Sequence, residues 1–356
     1  MNRDFHYEGT YAAAVIAGFT PESAADIAWA AQTVDECTKE NVDKFYPYLN
    51  RWDPVFTCQS VTENIKEEIS SLLSNETSST LQLVRSIWMP FHFLPGNIDG
   101  HFRYKGIIPM ESERDMRDFL CICEPNSDLV LQMIQRSVSV FSHCNQEEKK
   151  EYLIMIGILM HVLADTWAHQ YFSGTPNYFV NEVKDMKRLD PLPLPEDFET
   201  GATPPGPSNY SMSYLGHGRA GHFPDYGCMS YQYHPYWKAT GENIIKNGPE
   251  DFSCAFQQME WALRCFRTGN TFTIPEQHPE EKQWLIAVDD VIKTIKADQS
   301  GVWRRQMADF VDYDYLPDYK FEGEKHKMTF FQAYAREHRA FVMGYLQSNG
   351  NILNVH

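Results

Sequence analysis

The chain has 356 residues, of which 43% are hydrophobic, 14% aromatic and 22% charged. This globular balance excludes collagenous, disordered and coiled-coil proteins and leaves room for one large domain around a sizeable core. The 31 Lys and Arg against 48 Asp and Glu give a net charge of -17, which repels polyanions and sets nucleic acid aside as a partner, while admitting a carboxylate cluster that holds cations.

The opening Met1-Asn2-Arg3-Asp4-Phe5-His6-Tyr7-Glu8 has no basic region followed by an apolar run, so no secretory signal is read there. A first helix is predicted from Thr20 as N-cap with Pro21 at its first position, burying Ile27, Ala28, Ala31 and Val34 and ending near Thr38. Apolar periodicity predicts helices over Ser60 to Leu73, Ser79 to Trp88 and Ser127 to Ser142. Between the last two, Phe91-His92-Phe93-Leu94-Pro95-Gly96 breaks the pattern as an aromatic loop with Pro-Gly turn chemistry.

The strongest helix runs from Glu147 to about Phe172, and Asn145 with Glu148 completes a capping box at its start. Its middle, Ile154 to Leu163, is apolar nearly all round, which marks a central buried helix. The longest apolar stretch, Tyr152 to Ala164, is too short to span a bilayer, so the expectation is a soluble cytoplasmic protein without a transmembrane segment.

A Pro-rich stretch at 190–210 reads as a loop inserted within a single domain, 1–356. Helices resume over Glu250 to Arg267, Glu280 to Ala297, Gly301 to Val311 and Thr329 to Gln347. No internal repeat is evident, and no pair of alternating segments joined by a two-residue hairpin turn stands out. Eight cysteines at irregular spacing read as reduced thiols, many of them buried. The fold class is therefore mainly α, a multi-helix single domain with long irregular loops.

The chemistry concentrates in the central helix, where His161, Asp165 and His169 recur at four-residue steps and so project from one face. The two histidines lie about 12 Å apart along the axis, too far to share one ion at bond lengths of about 2 Å. Asp165, midway, can instead bridge two ions, with one His on each side. A structural polar triad would use the same residues, but an otherwise apolar helix gains little from collecting titratable groups. Further ligands must come from elsewhere. His222 and Asp225 in the Gly-rich segment Gly216 to Asp225 can cap the second ion, with His217 as a further ligand or a nearby acid or base. His6, Asp35 and His92 can supply the remaining nitrogen and oxygen donors.

His161-x-x-x-Asp165, then His169 and a downstream His plus carboxylate, resembles the ligand pattern of the zinc-dependent phospholipase C and single-strand nuclease superfamily, all-helical enzymes with a trinuclear zinc site. Asp4-Phe5-His6-Tyr7, Val34-Asp35 and Pro90 to Gly96 are similar to an uncharacterised bacterial family related to those enzymes, over about two thirds of the chain, to about Asp225. The resemblance implies Asp35, His92, His161 and Asp165 around one ion, His169, His222 and Asp225 around a second, and His6, sharing Asp165, at a third. Those enzymes use the amino group and carbonyl of a processed N-terminus at the third ion, whereas here Met1 to Phe5 precede His6. The spacing His222-x-x-Asp225 also replaces their His-x-x-x-Glu.

The expectation is a metal-dependent hydrolase of the phospholipase C type, with two or three Zn2+ ions, acting as a phosphodiesterase or phosphomonoesterase on a small-molecule phosphoester through an activated water. Asp35, His217 and Arg219 are the residues expected to act in catalysis, Arg219 by neutralising a phosphate oxygen. Iron or manganese suits the same donors, so a dinuclear redox enzyme is one alternative; a non-catalytic binding protein stabilised by metal is the other.

Overall fold

Capping side chains set most helix starts. In the computed structural model, which describes residues 1–59, 72–98, 106–110, 112–190, 200–274, 283–294, 300–323 and 325–349, a π-helical turn Phe5–Gly9 leads into α1 (Thr10–Ile16). Thr20 Oγ1 accepts from the Ser23 amide at 3.3 Å and, with Pro21 in the first turn, starts α2 (Pro21–Glu36). Thr38 caps the next helix, α3 (Lys39–Phe45). α4 (Ser79–Phe91) tolerates Pro90 in its last turn, and His92 follows as its C-cap. α5 (Glu113–Leu120) and α6 (Asp128–His143) start on Ser112 and Ser127. The predicted capping box of Asn145 and Glu148 opens the central helix α7 (Gln146–Ala168).

After the short α8 (Tyr178–Asn181) come three antiparallel strands, β1 (Val183–Arg188), β2 (Ser230–Pro235) and β3 (Ile244–Asn247), in spatial order β1-β2-β3. They escape a search for short hairpins because residues 236–243 separate β2 from β3, and β1 buries only Val183. α9 (Gly248–Thr268), α10 (Gln283–Ile292), α11 (Ser300–Gln306) and α12 (Lys325–Ser348) complete the described elements. The helix predicted over Ser60 to Leu73 lies outside the described residues except for its last two. So do residues 191–199 of the Pro-rich loop and the ends of the Glu280 to Ala297 prediction.

α7 is the axis of the molecule, and α2, α9 and α12 pack on it. The largest of four apolar clusters among the described residues runs from Met1 through α7 to Leu346. α2 and α7 meet backbone to backbone at Gly157, where a Cβ would stand 2.2 Å from the Ile27 carbonyl oxygen. By length and composition α7 could cross a membrane, but 89% of its apolar window is buried inside the fold. The eight cysteines are all unpaired and five are buried.

α7 stops at Ala168 rather than near Phe172. Lys246 Nζ donates to the Trp167 carbonyl at 2.9 Å, His169 turns away as the C-cap, and Tyr171 takes φ +80°. The chain therefore leaves the helix just where its last site histidine must swing inward.

Candidate metal centre

α7 brings His161 and Asp165 to one buried face, and His169 follows at its C-cap. The C-terminal end of α4 adds His92, the last turn of α2 adds Asp35, and the π-helical turn adds His6. Asp165 Oδ2 lies 3.2 Å from His161 Nε2 and 3.3 Å from His92 Nδ1, and those two ring nitrogens are 3.3 Å apart. Asp35 Oδ1 closes the group at 3.8 Å from each nitrogen. Donors bound tetrahedrally at about 2.0–2.1 Å sit roughly 3.3 Å from one another. The His92, His161 and Asp165 atoms have that spacing, and Asp35 Oδ1 stands slightly further out.

The other Asp165 oxygen, Oδ1, faces His6 Nε2 at 3.2 Å and the Met1 α-amino group at 2.6 Å. Beyond the amine lies a second group. His169 Nε2 and His217 Nε2 stand 3.2 and 3.5 Å from Asp225 Oδ1, and the Met1 nitrogen is 3.5 Å from His169 Nε2 and 3.6 Å from Asp225 Oδ1. The sets His6, Asp35, His161; His92, His161, Asp165; and His169, His217, Asp225 each place their donor atoms within 4.8 Å of one another and could hold a metal ion.

Backbone carbonyls decide which ring nitrogen faces the carboxylates. A carbonyl only accepts, so His92 Nε2–H donates to Thr57 O at 2.9 Å, His169 Nδ1–H to His92 O at 2.8 Å, and His217 Nδ1–H to Gly221 O at 2.8 Å. The remaining nitrogens, His92 Nδ1, His169 Nε2 and His217 Nε2, all face carboxylate oxygens. Lone pair against lone pair is repulsive unless positive charge sits between them. His6 is fully buried, yet among the described residues it makes no hydrogen bond through either ring nitrogen, and His161 Nδ1 is likewise unpartnered. A hydrogen-bonded polar triad would leave no such orphans; a metal cluster accounts for the inward-facing nitrogens, and the residues fit one.

The electrostatics agree. Burial opposes a charged His92, but the hydrogen bond to Asp165 and the nearby Cys58 and Asp35 pull it up to about 10, so the gap between them attracts a proton or a cation. Burial also opposes a charged Asp165, yet His169, the Met1 ammonium, His161 and His6 hold its carboxyl well below the usual range. Asp225 is held down against burial by His217, His169, His222 and the Met1 ammonium. Burial, then His161 and the Met1 ammonium, push His6 down to about 4, and burial pushes His217 to about 4. Both stay neutral, as nitrogen ligands must.

The structure thus brings His6, Asp35, His92, His161, Asp165, His169 and Asp225 together. Two predicted roles change. His217 takes the inner place assigned to His222, which is 55% exposed with Nδ1 3.4 Å from the outer oxygen of Asp225. The swap follows from the backbone: Gly216 and Gly221 adopt φ of +53° and +61°, and a Cβ at Gly216 would strike the Phe93 ring that stacks on His169. Arg219 points its guanidinium at Glu182, 3.1 Å away, and at the Thr203 carbonyl, so it is occupied in holding the loop rather than presented to a phosphate. The sequence reading sets an N-terminal amine aside because Met1 to Phe5 precede His6, yet the Met1 nitrogen lies 2.6 Å from Asp165 Oδ1.

Fold and site together define a mainly helical protein with adjoining buried His and Asp groups able to hold metal ions. The chain belongs to the family described as a family of unknown function (DUF6765), whose model matches residues 1–346. No curated protein and no solved structure matches it.

Proposed function

We propose that this protein is a metal-dependent hydrolase, with zinc as the first choice of ion, that cleaves a phosphoester by water attack. The observation that carries the reading is the convergence of three carbonyl-fixed histidines, with their bare nitrogens turned inward, on the carboxylates of Asp165 and Asp225. The likeness to the ligand pattern of the zinc-dependent phospholipases supports it.

Divalent ions held here would supply Lewis acidity and lower the pKa of water toward neutrality. Asp165 would hold neighbouring ions together through its two oxygens. His92, His161 and Asp35 would fix the first, and His169, His217 and Asp225 the second, with the Met1 amine and His6 at the Asp165 Oδ1 side. Asp35 is the most exposed of the first group, at 30%. It is the carboxylate that solvent reaches, placed to take a proton from the attacking water.

Elemental analysis of the purified protein, with turnover of bis(p-nitrophenyl) phosphate and p-nitrophenyl phosphate, tests the proposal. At least two equivalents of metal and hydrolysis abolished by Asp165→Ala are expected. Folded protein without metal would sink the metal centre. Metal without turnover of either ester would remove the hydrolase and leave a metal-stabilised binding protein.

A further inference from the structure

The face of α7's last turn opposite the histidines borders a cleft of about 720 Å3 between α9 and α10. Trp167 forms one wall. Its indole Nε1–H donates to Gln258 Oε1 at 2.8 Å, and Gln258 Nε2 donates in turn to Asn126 Oδ1 at 2.5 Å. The ring is therefore anchored by its edge. Leu285 and Ile274 extend this apolar side.

The rest of the described lining is polar, with two carboxylates, Glu250 of α9 and Asp289 of α10, against one lysine, Lys293. Asp289 Oδ1 is buried and has no hydrogen-bond partner among the described residues, an arrangement that costs free energy until a donor arrives. Cys254, in the same lining, reports the local field: burial and then Asp251, Glu250 and Asp289 push its thiol up to about 11. A phosphate or carboxylate would meet repulsion here, and a neutral polyol would leave the negative field unused.

The geometry points to a second small-molecule site, independent of the metal centre: the cleft between α9 and α10 takes an organic cation, its ammonium on Asp289 and Glu250 and its apolar body against Trp167 and Leu285. An indole beside two acceptors suits such a ligand through cation–π attraction as well as charge.

The test is isothermal titration of the full chain with 2-phenylethylammonium, and with 2-phenylethanol and glucose as neutral probes. Saturable binding of the amine is expected, weakened about tenfold or more by Asp289→Asn and by Trp167→Leu, with the neutral probes at least about tenfold weaker. Circular dichroism confirms that each variant is folded, and Asp289→Asn, nearly isosteric, decides alone if Trp167→Leu is not. No saturable amine binding, equal binding of a neutral probe, or full affinity in Asp289→Asn would each overturn the assignment. Because the readout is direct binding, none of these outcomes depends on metal or turnover.

Discussion

The main-chain carbonyl of His92 accepts a hydrogen bond from Nδ1 of His169 at 2.8 Å, while the His92 ring itself faces Asp165 in the neighbouring group. One residue therefore gives its side chain to the first cluster and orients a histidine of the second. Partners of this kind fix tautomer and ring direction, and their loss typically costs 10–100-fold in metal affinity. The two groups form one construction, joined at His92 and at Asp165.

Metal stoichiometry should follow that wiring. Asp165→Asn removes the shared carboxylate charge and is expected to lower total bound metal at least about tenfold. His217→Ala should lose about one equivalent, since it touches only the Asp225 group. His222→Ala should keep the full complement, because His222 lies outside Asp225 and is 55% exposed. Elemental analysis of the three variants at matched concentration checks this; loss of metal in His222→Ala would restore the ligand set read from the sequence.

The Met1 amine makes a separate prediction. It is buried, and burial alone would lower its pKa, but Asp165, Asp225 and Asp35 raise it from 8.0 to about 10. A group raised on folding stabilises the protein fully below its unfolded pKa and loses that contribution as pH climbs through the folded value. In chelator-treated protein, urea unfolding should show about 2 kcal/mol lost between pH 8 and 10. A chain carrying extra residues before Met1 has no amine at this place. It should lack that pH dependence and be less stable at pH 7 by about 3–5 kcal/mol, the usual cost of leaving a buried charge without its partner.

Much of this was legible in the sequence for physical reasons that can be named. α7 and its capping box are local, and the four-residue spacing of His161, Asp165 and His169 converts directly into one face. His6, Asp35 and His92 were weaker signals, made meaningful only by the resemblance. The choice between His217 and His222 was not legible, because it depends on positive φ at Gly216 and Gly221 and on Phe93 filling the space beside His169. Arg219 misled for a related reason. Its partner Glu182 is far away in sequence, just before β1, and long-range pairing leaves no local pattern.

His338 gives an acid-side test away from the metal centre. It is buried on α12, its Nε2–H donates to the Pro90 carbonyl at 2.8 Å, and burial lowers its pKa from 6.5 to about 4. The unfolded chain takes up a proton below 6.5 that the folded chain refuses until about 4, so stability is complete above 6.5 and drains as pH falls. Between pH 7 and 5 this amounts to roughly 2 kcal/mol. Urea midpoints at both pH values should fall less for His338→Gln, which keeps a donor for Pro90 but does not titrate. An equal fall in the two proteins would show that the His338 pKa is not lowered on folding.

The contact of α2 with α7 links packing to the first metal group. An Ala at position 157 would put its methyl 2.2 Å from the Ile27 carbonyl oxygen and 2.6 Å from Ala30 Cβ, distances that no rotamer relieves because the first is to backbone. α2 must move outward, and overpacking of this kind costs about 1–3 kcal/mol. Asp35 rides on the same rigid helix two turns further on, 3.8 Å from His92 Nδ1 and His161 Nε2, so the displacement carries its carboxylate away from both. Gly157→Ala is therefore expected to weaken the first ion's binding about tenfold or more while sparing the one at Asp225. Gly344→Ala on α12, where nothing stands within 4 Å of the new methyl, should instead stabilise by about 0.5–1 kcal/mol with no change in metal. Denaturant melts and competitive chelator titrations of the pair separate the two effects: if Gly157→Ala loses stability but binds both ions as tightly as before, Asp35 is not a ligand.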